Sequence, residues 1–138
     1  MASAPNPCAE SQRASKGRLW TSYALTSLAG LFLLFDAAGK LTVPIFVVQA
    51  FNRLGIPVDL SVGIGVLLLV CTAFYLIPRT AVLGAVLITG YLGGAVAIHL
   101  RAGSSTFETV FPILFAILAW AGIYLREPRL CALLPLRR

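Results

Sequence analysis

The stretch PRTAVLGAVLITGYLGGAVAIHLR, from Pro78 to Arg101, decides the class of fold. Thr80 to Leu100 is a run of 21 residues without a formal charge, counting the histidine as neutral. At about 1.5 Å per residue, a helix of that length matches a hydrocarbon layer roughly 30 Å thick. The run therefore reads as a membrane-crossing helix. It opens on a Pro78-Arg79 turn and ends on His99, the single histidine of the chain, and Arg101.

Composition extends that reading to the whole molecule. Of 138 residues, 59% are hydrophobic and 12% charged, with a mean hydropathy of +0.90, far from the balance of a soluble domain. The expectation is an all-α integral membrane protein: a four-helix bundle with no separate soluble domain. The net charge of +6 does not indicate nucleic acid, because the cations flank apolar runs instead of lining one solvated surface. Cys8, Cys71 and Cys131 show neither a CxxC nor a metal-ligand spacing, so free thiols and no metal site are expected.

Outward from the central stretch, residues 1–18 read as a flexible cytoplasmic tail, with Arg13, Lys16 and Arg18 just ahead of the first apolar run. No A-x-A-like cleavage site follows that run, which argues against a removed signal peptide. Residues 19–125 form the membrane domain. The first span covers about Leu19 to Ala38, with Trp20 and Tyr23 at interface depth. Val43 to Phe51 is too short to cross and starts beside Pro44, so a short amphipathic or re-entrant segment is expected between helices 1 and 2, closed by a Gly55-Ile56-Pro57 turn. The second span runs from about Val58 to Ile77, with Asp59 near its start, where an acid suits the helix dipole. Pro78-Arg79 makes the next connection so short that spans two and three must be antiparallel neighbours. The fourth runs from about Phe107 to Leu125, with Trp120 and Tyr124 at the interface, and residues 126–138 form a basic cytoplasmic tail. Gly63, Gly65 and the Gly90, Gly93, Gly94 group are read as close-packing positions inside the bundle.

With four spans and the N-terminus inside, eight Lys and Arg residues fall inside and three, Lys40, Arg53 and Arg101, outside. The positive-inside rule then favours cytoplasmic N- and C-termini. The same topology brings one set of ionisable residues to a common level. Asp36 and Lys40 stand four apart near the end of span one, His99 and Arg101 close span three, and Glu108 opens span four. Tyr91 lies deeper on the His99 face, two steps of four residues away. Asp36 and His99 are the candidate proton-handling pair, and Lys40, Tyr91, Arg101 and Glu108 the candidate ligand-binding groups. Interfacial anchors and ion pairs between helices would produce the same pattern, and for Tyr91 packing is the competing role.

Three segments carry a resemblance: LAGLFLLFDAAGKL (Leu28 to Leu41), LIPRTAVLGAVLITGYLGGAVAIHLRAG (Leu76 to Gly103) and VFPILFAILAWAGIYLREPRLCALLP (Val110 to Pro135). On these the chain resembles the DoxX-like family of small four-helix bacterial membrane proteins. It departs from the family pattern at Ile98, where members often carry threonine. The resemblance implies a bacterial inner-membrane location and points toward a lipophilic, quinone-like ligand or a peripheral redox protein partner. No haem, flavin or iron–sulfur motif is visible in the chain, so a redox role would draw its electrons from elsewhere. The competing readings are a stand-alone membrane enzyme doing acid-base chemistry, an isomerisation or epoxide opening, and a scaffold without ligand. The lipid bilayer is the one partner common to all three readings, and the oligomeric state stays open.

Overall fold

The structure is a computed structural model that describes residues 16–126 and Leu130. These residues form five helices and no strand: α1 (Lys16–Thr42), α2 (Ile45–Leu54), α3 (Leu60–Leu76), α4 (Ala81–Arg101) and α5 (Thr106–Arg126). By length and composition, α1, α4 and α5 are long and apolar enough to cross a membrane. With 17 residues, α3 reaches about 25 Å.

The apolar runs set the helices, and the breaks between them have local causes. α1 continues past Ala38 because Thr42 Oγ1 donates back to Ala38 O at 2.9 Å and Val43 N to Gly39 O at 3.1 Å. It stops at Val43, whose φ of 47° is a strained value for a β-branched residue, and at Pro44, which disfavours helical geometry in the residue before it. The carbonyl of Pro44 then accepts the first bonds of α2, from Val47 N at 2.9 Å and Val48 N at 3.2 Å. α2 ends on Gly55, at φ 67°, a left-handed cap that glycine adopts without a side-chain clash. A short helix therefore stands between α1 and α3, where a short amphipathic or re-entrant segment was expected, with Val47 and Phe51 turned inward and buried. Residues 16–18, read as tail, belong to α1, and Arg126 belongs to α5. The expectations for residues 1–15, for Cys8 and for Cys131 lie outside the described residues.

α1 packs on α3 and α5, and α4 packs on the same two helices. Neighbours run antiparallel, as three contacts show. Ser22 Oγ, early in α1, donates to Gly122 O, late in α5, at 2.6 Å. Ser61 Oγ, at the start of α3, donates to Lys40 O near the end of α1 at 2.9 Å. α3 turns into α4 within four residues. One end of the assembly thus gathers Lys16, Arg79 and Arg126. The other gathers Lys40, α2, Arg101 and Glu108.

The core is made of small and aliphatic side chains at helical spacing: Ala29, Leu33 and Ala37 of α1, Leu68, Cys71 and Tyr75 of α3, Ala81, Ala85, Ile88 and Leu92 of α4, and Ala119 and Ile123 of α5. Bulky apolar residues also cover the outside, among them Leu31, Phe35, Val66, Leu67, Val86 and Ile117. A surface of that kind does not suit water, and in lipid the helices are held by van der Waals packing and interhelical hydrogen bonds. Phe32 supplies part of that packing, stacked on Phe115 at 3.8 Å between centroids and edge-on to Phe111 at 5.4 Å.

The glycines divide differently from expectation. Gly84 meets the α3 backbone directly: an added Cβ would overlap Tyr75 N and Cα and lie 2.6 Å from the Phe74 carbonyl carbon. Gly65 sits against Ala37 O and the Lys40 side chain, as expected. Gly63, Gly90, Gly93 and Gly94 have nothing within 4 Å of an added Cβ. The Gly90-x-x-x-Gly94 spacing therefore faces outward, and its reading as packing inside the assembly is corrected. In a helix apolar all round, spacing shows that two glycines share a face but not which way that face points.

Candidate functional site

Asp36 lies in the last two turns of α1, and the helix itself brings Lys40 beside it. Four residues apart on one face, Lys40 Nζ donates to Asp36 Oδ1 in an ion pair. The Lys40 side chain is 16% exposed and that of Asp36 36%. α3 packs against the base of Lys40: a Cβ added at Gly65 would lie 3.0 Å from Lys40 Cβ, and Ser61 Oγ donates to the Lys40 carbonyl. From α4, across the diagonal of the assembly, the Tyr91 phenol comes within electrostatic reach of the Asp36 carboxylate, and Cys71 of α3 stands within reach of the same phenol. Tyr91 is half-buried and packs against the core, while Cys71 is buried with a free thiol. Asp36 and Lys40 lie in the half of the assembly nearer α2, Tyr91 midway along α4, and Cys71 toward the far end of α3.

The remaining predicted residues are held by local partners. His99 Nδ1 lies 3.1 Å from Ser104 Oγ, which ties the ring to the turn after α4. Arg101 Nη2 donates to Leu54 O at 3.1 Å, joining the end of α4 to the end of α2 and supplying a cation where the helix dipole is negative. Glu108 Oε2 accepts from Ser105 N at 3.2 Å, and Ser105 Oγ accepts from Glu108 N at 3.3 Å. This reciprocal pair is a capping box at the start of α5. Among the described residues, no hydrogen bond or ion pair joins Asp36 or Lys40 to His99, Arg101 or Glu108. Five of the six residues lie toward one end of the fold, with Tyr91 midway along α4, and of the six only Asp36 and Lys40 are shown in direct contact.

The capping box has a measurable consequence. Ser105→Ala leaves α5 without its cap acceptor and is expected to cost about 1 kcal/mol. A thermal unfolding midpoint of the purified variant equal to that of the wild type would show that the cap contributes nothing.

Several polar residues that spacing did not single out occupy the opposite half. Ser22 and Thr26 are buried on one face of α1, four residues apart, against Gly122. Tyr75, fully buried, donates its hydroxyl to Ala119 O at 3.2 Å. The i, i+4 repeat of Ser22 and Thr26 inside an apolar run was the available signal. Trp120 donates its indole N–H to Thr89 Oγ1 at 2.8 Å, while Thr89 donates to Ala85 O at 2.8 Å. These bonds fasten α5 to α1, α3 and α4 through groups that lipid would leave unsatisfied.

Long apolar helices, a bulky apolar exterior and hydrogen bonds satisfied between helices define a helical membrane protein. Its family follows from a match of residues 24–122 to the family model described as the DoxX-like family. The chain belongs to the DoxX-like family, and the matched region takes in α2, α3 and α4 whole and most of α1 and α5. Neither the curated proteins nor the solved structures contain a match to it.

Proposed function

We propose that α1, α3, α4 and α5 cross a bacterial inner membrane as a four-span bundle. In this reading both termini are cytoplasmic, and the half nearer α2 holds a lipophilic small molecule with a quinone-like head. The observation that supports the ligand reading is the Asp36–Lys40 ion pair near the end of α1, its lysine largely buried, with the half-buried Tyr91 of α4 within electrostatic reach of the acid. Charged and phenolic groups are costly in lipid, and those retained inside spans usually serve a ligand or a proton path. The donor set suits an oxygen-bearing head: the Tyr91 hydroxyl and the Lys40 ammonium can each donate to a carbonyl oxygen. The core residues Leu33, Ala37, Ile88 and Leu92 would offer apolar contact to a ring that entered between the helices.

A bound quinone would supply two-electron carrier chemistry. The chain would position its head, with Asp36 available to accept a proton from solvent or ligand and His99, on the same face of α4, placed toward the rim. Electrons would come from a peripheral redox protein, which makes the chain a membrane subunit of a redox system.

The test is titration of purified protein in lipid nanodiscs with a short-chain ubiquinone analogue. Wild type is expected to bind. Tyr91→Phe removes one hydrogen bond from a site with little water and should weaken binding about tenfold; His99→Ala, further from the pair, should weaken it less. No binding by wild type, or equal binding by wild type and both variants, sinks the ligand reading.

A further inference from the structure

The end of the assembly away from Asp36 carries a separate feature. Lys16, Leu19, Trp20 and Tyr23 repeat at i, i+3, i+4, i+7 along one face of α1 and line a shallow concavity of about 420 Å³. Its aromatic residues are open, with Trp20 78% and Tyr23 55% exposed. At its edge the Arg126 guanidinium of α5 stands over the Tyr23 ring, 5.8 Å from the centroid.

Charge is distributed unevenly along the molecule. This end gathers Lys16, Arg18, Arg79 and Arg126, whereas the acids among the described residues, Asp36, Asp59 and Glu108, all lie toward the opposite end. A groove with an apolar and aromatic floor and cations at its rim complements a molecule that is anionic at one end and oily at the other.

We infer that the Lys16–Leu19–Trp20–Tyr23 groove, with Arg126 at its edge, binds the headgroup of an anionic phospholipid. The phosphate and its second negative group lie between the Lys16 ammonium and the Arg126 guanidinium, where charge-assisted hydrogen bonds are available. The glycerol backbone lies along Trp20 and Tyr23, whose amphipathic rings belong at headgroup depth, and the start of an acyl chain lies along Leu19. The apolar floor favours a lipid over free phosphate, which would leave that surface wet. The inference rests on the proposal that the helices cross a bilayer with this end in the cytoplasmic leaflet, and it is independent of the quinone-like ligand.

Two measurements on the full chain test it. In the first, Trp120→Phe makes Trp20 the sole tryptophan, and the protein is placed in nanodiscs containing equal fractions of brominated phosphatidylglycerol or brominated phosphatidylcholine. Bromine quenches Trp20 on contact, and the anionic lipid is expected to quench more strongly. Lys16→Gln and Arg126→Gln should each lower that preference about fivefold, the effect of one cation near a membrane surface. Equal quenching by the two lipids, or a preference that neither neutralisation changes, overturns the inference while leaving bilayer insertion intact. Quenching by neither lipid overturns the inference and the placement of this end in the membrane together. In the second, which needs no tryptophan replacement, native mass spectrometry of protein released from an equimolar mixture of the two lipids should retain phosphatidylglycerol, less so in the double variant Lys16→Gln/Arg126→Gln. Displacement of that lipid by millimolar inorganic phosphate, or its replacement by a second copy of the chain, overturns the lipid assignment.

Discussion

Gly84→Ala should prevent the protein from folding to a stable, monodisperse species. The methyl group would fall on backbone atoms of Tyr75 and close to the Phe74 carbonyl carbon, and no rotamer change can move a backbone out of the way. α3 and α4 would have to separate along the contact made by their four-residue connection. Overpacking of flexible side chains costs about 1–3 kcal/mol, and a clash against backbone belongs at or above the upper end of that range. Tyr75 would be displaced too, and with it the hydroxyl bond to Ala119 O that links α3 to α5. Size-exclusion profiles and thermal unfolding in detergent read the effect directly. The informative controls are Gly90→Ala and Gly94→Ala, which have open space around the added methyl. They should be neutral, or stabilising by up to about 1 kcal/mol through helix propensity. A Gly84→Ala protein that unfolds at the wild-type temperature would mean that α3 and α4 are not in the contact described.

The second large effect concerns the ion pair. Asp36→Asn keeps the shape of the side chain but leaves the Lys40 ammonium, 16% exposed, without its counter-charge. Breaking a fully buried pair costs about 3–5 kcal/mol, and the partial exposure of Asp36 lowers the expectation to about 2 kcal/mol. Lys40→Met should be similarly costly, because it strands a carboxylate near apolar groups. Removing both charges, Asp36→Leu with Lys40→Met, should restore most of the stability, since a hydrophobic pair of similar volume escapes the desolvation penalty. The double-mutant cycle therefore isolates the coupling. Additive single losses, with no recovery in the double variant, would mean that the two residues act independently.

How far the sequence speaks depends on the kind of question. The boundaries of α4 lie within one residue of the uncharged run, because Arg79 and Arg101 mark where a helix can leave the apolar layer. α2 was visible as a helix through Pro44 and Gly55, both of which act on the backbone locally. Direction around a helix axis was not visible. Gly90 and Gly94 share a face by arithmetic, yet α4 is apolar on every side and carries no contrast that says which side meets α3. The same gap governs the candidate site. Counting residues along antiparallel spans places Asp36, His99, Arg101 and Glu108 at one height but says nothing of angle. At a helix end, where backbone groups lack partners, nearby atoms capture polar side chains first. Ser105 holds Glu108, Leu54 O holds Arg101 and Ser104 holds His99. Tyr91, deeper in its helix and away from loose ends, packs against the core instead.

The Asp36–Lys40 pair also bears on how the chain enters its membrane. An isolated Asp or Lys at the centre of a crossing helix carries an insertion penalty of about 2.5–3.5 kcal/mol. An acid matched to a base on another helix would have to wait, charged and exposed to lipid, until that helix arrived. Here both charges lie on α1, one turn apart, so this helix, which precedes α3, α4 and α5 in the chain, can neutralise itself as soon as it is helical. It can enter the bilayer ahead of α3, α4 and α5, and offer them a surface whose electrostatics are already settled.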